Sequence, residues 1–194
     1  MTKPGFTGCL LAGGKSTRMG RDKAGVDFHG EPLWRRQMRT LQSAGSDEIL
    51  ISGRPDACYW ECGFRVITDE LPGAGPLGGV ASLLDAAANP LVMVLAIDMP
   101  FMTSPYLRCL LEKCSGNSGA VPRHRDFFEG LVAIYPKTAR TLAREILRGD
   151  DRSMQHFVRE CESAGLVETV DVGKDEEALF RSLNSAADLA EAIA

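Results

Sequence analysis

Residues Leu91-Val-Met-Val-Leu-Ala-Ile97 form an unbroken apolar run. A strand that is apolar on both faces must be covered on both faces, which is the situation of strands in mainly parallel sheets held between helix layers. Shorter apolar runs bounded by glycine or charged residues recur at Phe6 to Ala12, Glu48 to Ser52, Arg65 to Ile67, Gly119 to Pro122 and Leu131 to Tyr135, and these read as further strands. Between them, helical spacing is found near Leu33 to Ala44, Leu77 to Ala88, Pro105 to Lys113 and Lys137 to Leu147, and then at Ser153 to Ala164 and Ser185 to Ala194. The alternation predicts an α/β fold: a three-layer sandwich with a mainly parallel central sheet.

No composition shift, repeat or low-complexity tract divides the 194 residues, so a single domain spanning 1–194 is expected. The six cysteines are scattered and none lies in a CxxC pair, which suits reduced thiols better than a disulfide framework. Cys58 and Cys62 come nearest to a metal half-site, but no second pair or histidine cluster completes a zinc site. The apolar stretch in MTKPGFTGCLLAGGK is interrupted too early by glycine and lysine for a signal peptide or membrane span, so a cytoplasmic protein without membrane attachment is expected. With a net charge of −4 and dispersed Lys and Arg, nucleic acid is not an expected partner.

Ligands on such sheets gather beyond the carboxyl ends of the strands. The first strand ends in Leu11-Ala12-Gly13-Gly14 and continues as Lys15-Ser-Thr-Arg18-Met-Gly-Arg-Asp-Lys23. Glycines allow close backbone approach, and consecutive N–H groups can form a nest for phosphate oxygens. Arg18 and Lys23 add cationic groups that can share the charge of a triphosphate. The spacing matches neither GxxxxGK[ST] nor GxGxxG, which excludes a P-loop and a dinucleotide fingerprint. Gly-Gly alone reads more readily as a plain turn.

Asp98, in Ala96-Ile-Asp-Met-Pro100, directly follows the apolar strand and is the expected metal ligand, because Mg²⁺ takes carboxylate and phosphate oxygens together. An aspartate at a strand end can also serve as a turn or cap residue. His29, His124 and His156 have no ligand spacing and read as surface or loop residues. The segment LPGAGPLGG, Leu71 to Gly79, opens a helical stretch whose free N–H groups, near Gly78, could receive an anion or ribose; a plain helix-entry loop has the same composition.

LAGGKSTRMGRDK resembles the LAGGxSxRMGxDK signature of the NTP-transferase family, and Asp98-Met-Pro-Phe101 is similar to that family's DMPF segment at its metal site. The resemblance implies a Rossmann-like nucleotidyltransferase fold with nucleotide held around Leu11, Ala12, Gly13 and Gly14. It further implies phosphate contacts and charge stabilisation from Arg18 and Lys23, and Mg²⁺ on Asp98. LPGAGPLGG is similar to the PGxGPLxG segment of molybdenum cofactor guanylyltransferases, which implies GTP as donor, with Gly78 and Asp69 near the nucleotide. The closing Phe180-Arg-Ser-Leu-Asn184-Ser-Ala-Ala-Asp188-Leu189 resembles that group's FxNxNTPEDL, implying that Asn184 and Ser182 face a molybdopterin acceptor.

On this reading an acceptor phosphate attacks the α-phosphorus of GTP in line, and no protein nucleophile is needed. Transient contact with molybdoenzyme apoproteins or cofactor-delivery proteins is the implied partnership. The chain departs from the pattern on the acceptor side. Ser182 replaces an Asn, Ser185-Ala186 replaces Thr-Pro, and Glu129-Gly-Leu131 stands where Gln or His, then Pro-Leu, is usual. A carboxylate at 129 would repel a phosphate that a neutral side chain would bind. The alternatives are therefore another NTP or acceptor, such as cytidylyl transfer to molybdopterin or transfer to a sugar or alditol phosphate, and a non-catalytic nucleotide-binding partner in cofactor delivery.

Overall fold

The computed structural model describes residues 5–13, 23–60, 62–68 and 73–193. Its main sheet is eight-stranded. The strands are β1 (Phe6–Leu11), β4 (Glu48–Ser52), β5 (Arg65–Ile67), β6 (Leu91–Ala96), β7 (Gly119–His124), β8 (Phe127–Phe128), β9 (Val132–Pro136) and β10 (Val167–Asp171). Two further strands, β2 (Asp27–Phe28) and β3 (Glu31–Pro32), form a separate small hairpin. The order across the main sheet is β10-β7-β9-β6-β1-β4-β5, with β8 paired to β7. β5, β4, β1 and β6 run parallel, β9 runs antiparallel to both β6 and β7, and β10 is parallel to β7. The expected mainly parallel sheet is present, with β9 reversed inside it.

Helices cover both faces. One layer comprises α1 (Leu33–Ala44), α3 (Ser104–Lys113) and α6 (Ala186–Ile193), and the other comprises α2 (Pro76–Ala86), α4 (Arg140–Ile146) and α5 (Met154–Ser163). β6 explains why its run is apolar throughout. Leu91, Met93 and Leu95 pack with α1 and α3, while Val92 and Val94 pack with α2, α4 and α5, all at 2% exposure or less. Local chemistry sets the helix ends: Gly45 takes φ +98 to close α1 and donates to the Gln42 carbonyl, and Thr103 caps α3 ahead of Pro105.

β10 was not expected from the sequence. Its residues Val167-Glu-Thr-Val-Asp171 alternate weakly and only Val167 is buried, because an edge strand beside β7 leaves most of its length in solvent. The two-residue strands β2, β3 and β8 are too short to carry a period. Among the described residues, no helix is long and apolar enough to cross a membrane.

Topology places the site. From β1 the chain moves outward to β4 and β5, then returns through α2 to β6 on the other side of β1. The strand order therefore reverses at the β1/β6 boundary, where open α/β sheets form a ligand crevice beyond the strand ends.

Candidate active site

The ends of β1 and β6 lie side by side because Leu11 is in register with Ala96. Ile97 N–H donates to the Leu11 carbonyl at 3.1 Å, carrying the ladder one residue further and delivering Asp98 beside the end of β1. Lys23 arrives from a short 3₁₀ turn, Lys23–Gly25, anchored by the fully buried Ala24 and by Val26, whose N–H donates to the Lys23 carbonyl. Lys23 Nζ lies 3.4 Å from Asp98 Oδ2 and donates to Asn184 Oδ1, also at 3.4 Å. Asn184 Nδ2 in turn donates to Ser182 Oγ at 2.7 Å. Lys23, Asp98, Asn184 and Ser182, drawn from widely separated parts of the chain, thus form one connected polar cluster at the switch point. The ion pair is partly open, with side-chain exposures of 18% and 26%, so a ligand can reach both charges.

Other expected residues fall differently. Arg18, Gly14 and Asp69 lie outside the described residues. Leu11 and Ala12 are buried, whereas Gly13 is exposed. The Ala12 N–H donates to the Ser52 carbonyl at 2.9 Å, so this amide extends the sheet ladder to the end of β1. Gly78 sits in the first turn of α2, where its N–H donates to Gly75 and its carbonyl accepts from Ser82 Oγ. It lines a cavity of about 280 Å³ with Ser82, Asp85, Arg144 and Arg148, between α2 and α4. Gly78 is thus placed by its helix, apart from the contacts that join the Lys23 cluster. His29 lies in the β2/β3 turn at φ +55, His124 Nε2 is 3.2 Å from Glu177 Oε1, and His156 N–H is capped by Ser153.

Several residues that position the site have no motif to mark them. Gln37, fully buried on α1, donates from Nε2 to the carbonyls of Ala96 (3.0 Å) and Met99 (2.8 Å), bracketing Asp98 on both sides. Arg36 Nε donates to the Pro100 carbonyl at 2.7 Å, with its guanidinium 5.2 Å from the Phe28 ring. Leu183 N–H donates to the Asp98 carbonyl at 2.8 Å and its side chain is buried, which registers the C-terminal segment on the strand-end turn. For Gln37 a sequence signal did exist: an amide on the apolar stripe Leu33, Trp34, Met38, Leu41 of α1. Arg36 gave none.

Glu129 is half-buried just after β8, with its N–H on the Pro122 carbonyl. Burial pushes its carboxyl above the usual carboxylate range, against the opposing pull of His124.

The model of the MobA-like NTP transferase domain matches residues 8–168. The chain belongs to this family. A MobA-like relative from Opitutus terrae, named a probable molybdenum cofactor guanylyltransferase, is 44% identical over 156 residues, covering 79% of this chain and 77% of its own. One of the same name from Pelotomaculum thermopropionicum is 37% identical over 142 residues, covering 73% and 69%. Among solved structures, molybdopterin-guanine dinucleotide biosynthesis protein A from Archaeoglobus fulgidus superposes with a TM-score of 0.76 at 21% identity over 96% of each chain, which shows the shared fold. The MobA-like chain is accordingly a nucleotidyltransferase by family, and its switch-point cluster lies where that fold collects its ligands.

Proposed function

We propose that this protein transfers GMP from GTP to the terminal phosphate of molybdopterin, releasing pyrophosphate and forming the guanine dinucleotide cofactor. The observation that carries the reading is the meeting of Lys23, Asp98 and Asn184 at the β1/β6 switch point. It combines a cation for phosphates, a carboxylate for a metal and an amide for the acceptor, as in-line transfer between two anions requires.

Mg²⁺ suits the donor set. Asp98 offers a hard carboxylate oxygen at a partly open strand end, the kind that Mg²⁺ takes alongside substrate phosphates and water. When bound, the ion supplies polarisation of phosphate oxygens and screening between the two anionic substrates. The remaining work falls to the chain. Lys23 exchanges its contact with Asp98 for oxygens of the transferring and departing phosphates, offsetting their charge. Asn184 and Ser182 donate hydrogen bonds to the acceptor and orient it. The acceptor phosphate is already anionic, so no side chain has to take a proton from it. Arg18, Gly14 and Asp69 complete the nucleotide side in this reading. The same reading puts the reaction in the cytoplasm, where GTP is supplied, with molybdoenzyme apoproteins or delivery proteins as its proposed transient partners.

The test is pyrophosphate release with each NTP in turn, with and without molybdopterin. Release with GTP only, and only with the acceptor present, is expected; turnover with CTP alone would sink the guanylyl assignment.

Glu129 favours a second reading through its capacity to accept hydrogen bonds from hydroxyl groups: transfer to a hydroxyl-rich, phosphate-bearing acceptor such as a sugar or alditol phosphate. If molybdopterin is the acceptor and its phosphate passes near residue 129, Glu129→Gln lowers the acceptor KM by about fivefold at neutral pH without changing the GTP KM, the size of one unscreened charge contact in water. The raised carboxyl pKa gives the effect a pH dependence. As pH falls through that value the parent's carboxyl becomes neutral and the advantage of Gln disappears. An acceptor KM that is indifferent to Glu129→Gln, with an alditol phosphate turning over faster than molybdopterin, selects the second reading.

A further inference from the structure

Asp188 stands behind the Lys23 cluster and touches none of its charges, yet its carboxylate holds the residue that holds Lys23. Its Oδ2 accepts from the backbone N–H of Asn184 at 2.7 Å and of Ser185 at 2.8 Å, and its own N–H donates to Ser185 Oγ at 3.1 Å. Ser185 and Asp188 therefore form a reciprocal cap at the start of α6. A cap of this kind needs only the Ser185 amide; the additional bond to Asn184 reaches one residue further back, to the side chain that faces Lys23. Asn184 is consequently held at three points: its N–H by Asp188, its Oδ1 by Lys23 Nζ and its Nδ2 by Ser182 Oγ. The segment as a whole is registered on the Asp98 turn by the Leu183 amide.

We propose that Asp188 is a positioning residue for the transfer reaction, fixing Asn184 so that its Oδ1 holds the Lys23 ammonium at the β1/β6 switch point, within reach of the phosphates. The proposal rests on the transfer reading above for its kinetic consequence, but the structural link from Asp188 through Asn184 to Lys23 stands apart from it. Residue 188 lies beyond the 8–168 match to the family model, so the comparison assigns it no role. Helix α6 has other anchors, since Leu189 is buried in the core and Glu191 Oε1 pairs with Arg181 at 3.0 Å, so loss of the Asp188 carboxylate need not release the helix. The Asn184 amide, followed by the Ser185 contacts, holds the carboxyl below the usual carboxylate range. It therefore remains ionised at neutral pH and loses its hold only in acid, as pH falls through that lowered value.

The experiment compares Asp188→Ala and Asp188→Asn with the parent, with Lys23→Ala and with the Asp188→Ala/Lys23→Ala double variant, in the full chain. Asp188→Ala is expected to lower kcat about tenfold, the low end of what loss of a supporting partner does at a functional site. Asp188→Asn, which keeps an acceptor oxygen, recovers most of that loss. In the Lys23→Ala background, Asp188→Ala costs clearly less than in the parent, because one of the two groups that Asn184 positions, the Lys23 ammonium, is gone. An equal penalty in both backgrounds would give Asp188 a structural role only and overturn the proposal.

A second readout needs no turnover. In protein carrying ¹³C-labelled lysine, the Lys23 Cε resonance, identified by its disappearance in Lys23→Ala, should shift in Asp188→Ala and return in Asp188→Asn. An unmoved resonance overturns the link. A parent that releases pyrophosphate from no NTP overturns the transfer reading instead, and the resonance comparison still decides the role of Asp188.

Discussion

Replacing either Lys23 or Asp98 by alanine is expected to slow nucleotidyl transfer by roughly 100- to 1,000-fold in kcat, about 2.7 to 4 kcal/mol of barrier, the usual cost of removing one preorganised charge-stabilising group. The two residues face each other at 3.4 Å, so each neutralises the other until substrates arrive. Their losses should therefore look different outside the chemical step. Without Lys23, the departing pyrophosphate loses its cation, and saturating Mg²⁺ does not restore the rate. Without Asp98, part of the loss should be recovered as Mg²⁺ is raised, because the remaining ligands of such an ion are the substrates' own phosphates. Folding should be little affected in either case, since a partly exposed ion pair contributes at most about 1 kcal/mol. Steady-state pyrophosphate release across a Mg²⁺ series decides the matter. Parent-like turnover in both variants would remove the catalytic assignment and favour a non-catalytic nucleotide-binding role.

The second large effect concerns Gln37, which never meets substrate. Its amide nitrogen faces two carbonyls, those of Ala96 and Met99, while its Oε1 is buried and finds no donor among the described residues. Gln37→Glu puts an acceptor-only carboxylate against two acceptor oxygens at a fully buried position. The side chain can remain only by taking up a proton, so its folded pKa is raised far above the value in the unfolded chain. The linkage sign follows. Stability is retained below the unfolded pKa, about 4.3, and lost as pH rises through the raised folded value. At neutral pH the variant should be destabilised by about 3 kcal/mol or more, a fall in Tm of roughly 6 to 12 °C for a chain of this size, with the deficit shrinking in acid. Gln37→Leu is the control. It leaves the two carbonyls without their donor at every pH, for about 2 kcal/mol with no such pH dependence. Thermal melts of both variants between about pH 4 and pH 8 test this. A Gln37→Glu protein equally stable across that range would mean that the amide does not hold the Asp98 turn.

Much of this molecule was legible residue by residue. β6 was readable because a strand covered on both faces has to be apolar throughout, and every residue of Leu91–Ala96 is in fact buried. The place of Asp98 at the end of β6 was readable because it directly follows such a strand; that it faces Lys23 was not, since an aspartate there also serves as a turn or cap residue. The edge strand β10 and the reversal of β9 were not readable. Strand direction and edge pairing depend on which neighbour is available in three dimensions, and no local period records that. The partner of the Ala12 amide was not readable for the same reason: a glycine-rich string announces exposed N–H groups, but Ser52, forty residues later, accepts from this one.

Residue order alone therefore determined the α/β class, the chemistry on offer at the two strand ends, and the resemblance through LAGGKSTRMGRDK that names the reaction type. These depend on side-chain type at short spacing, which a linear chain carries in full. The tertiary structure alone decided that Lys23, Asp98 and Asn184 meet, because strand pairing and the Leu183 amide close sequence separations of 75 and 161 residues. It also decided that Gln37, Arg36 and Asp188 serve the site from behind. Their roles consist of hydrogen bonds to backbone atoms, and a backbone atom looks the same at every position of a sequence until the fold gives it a neighbour.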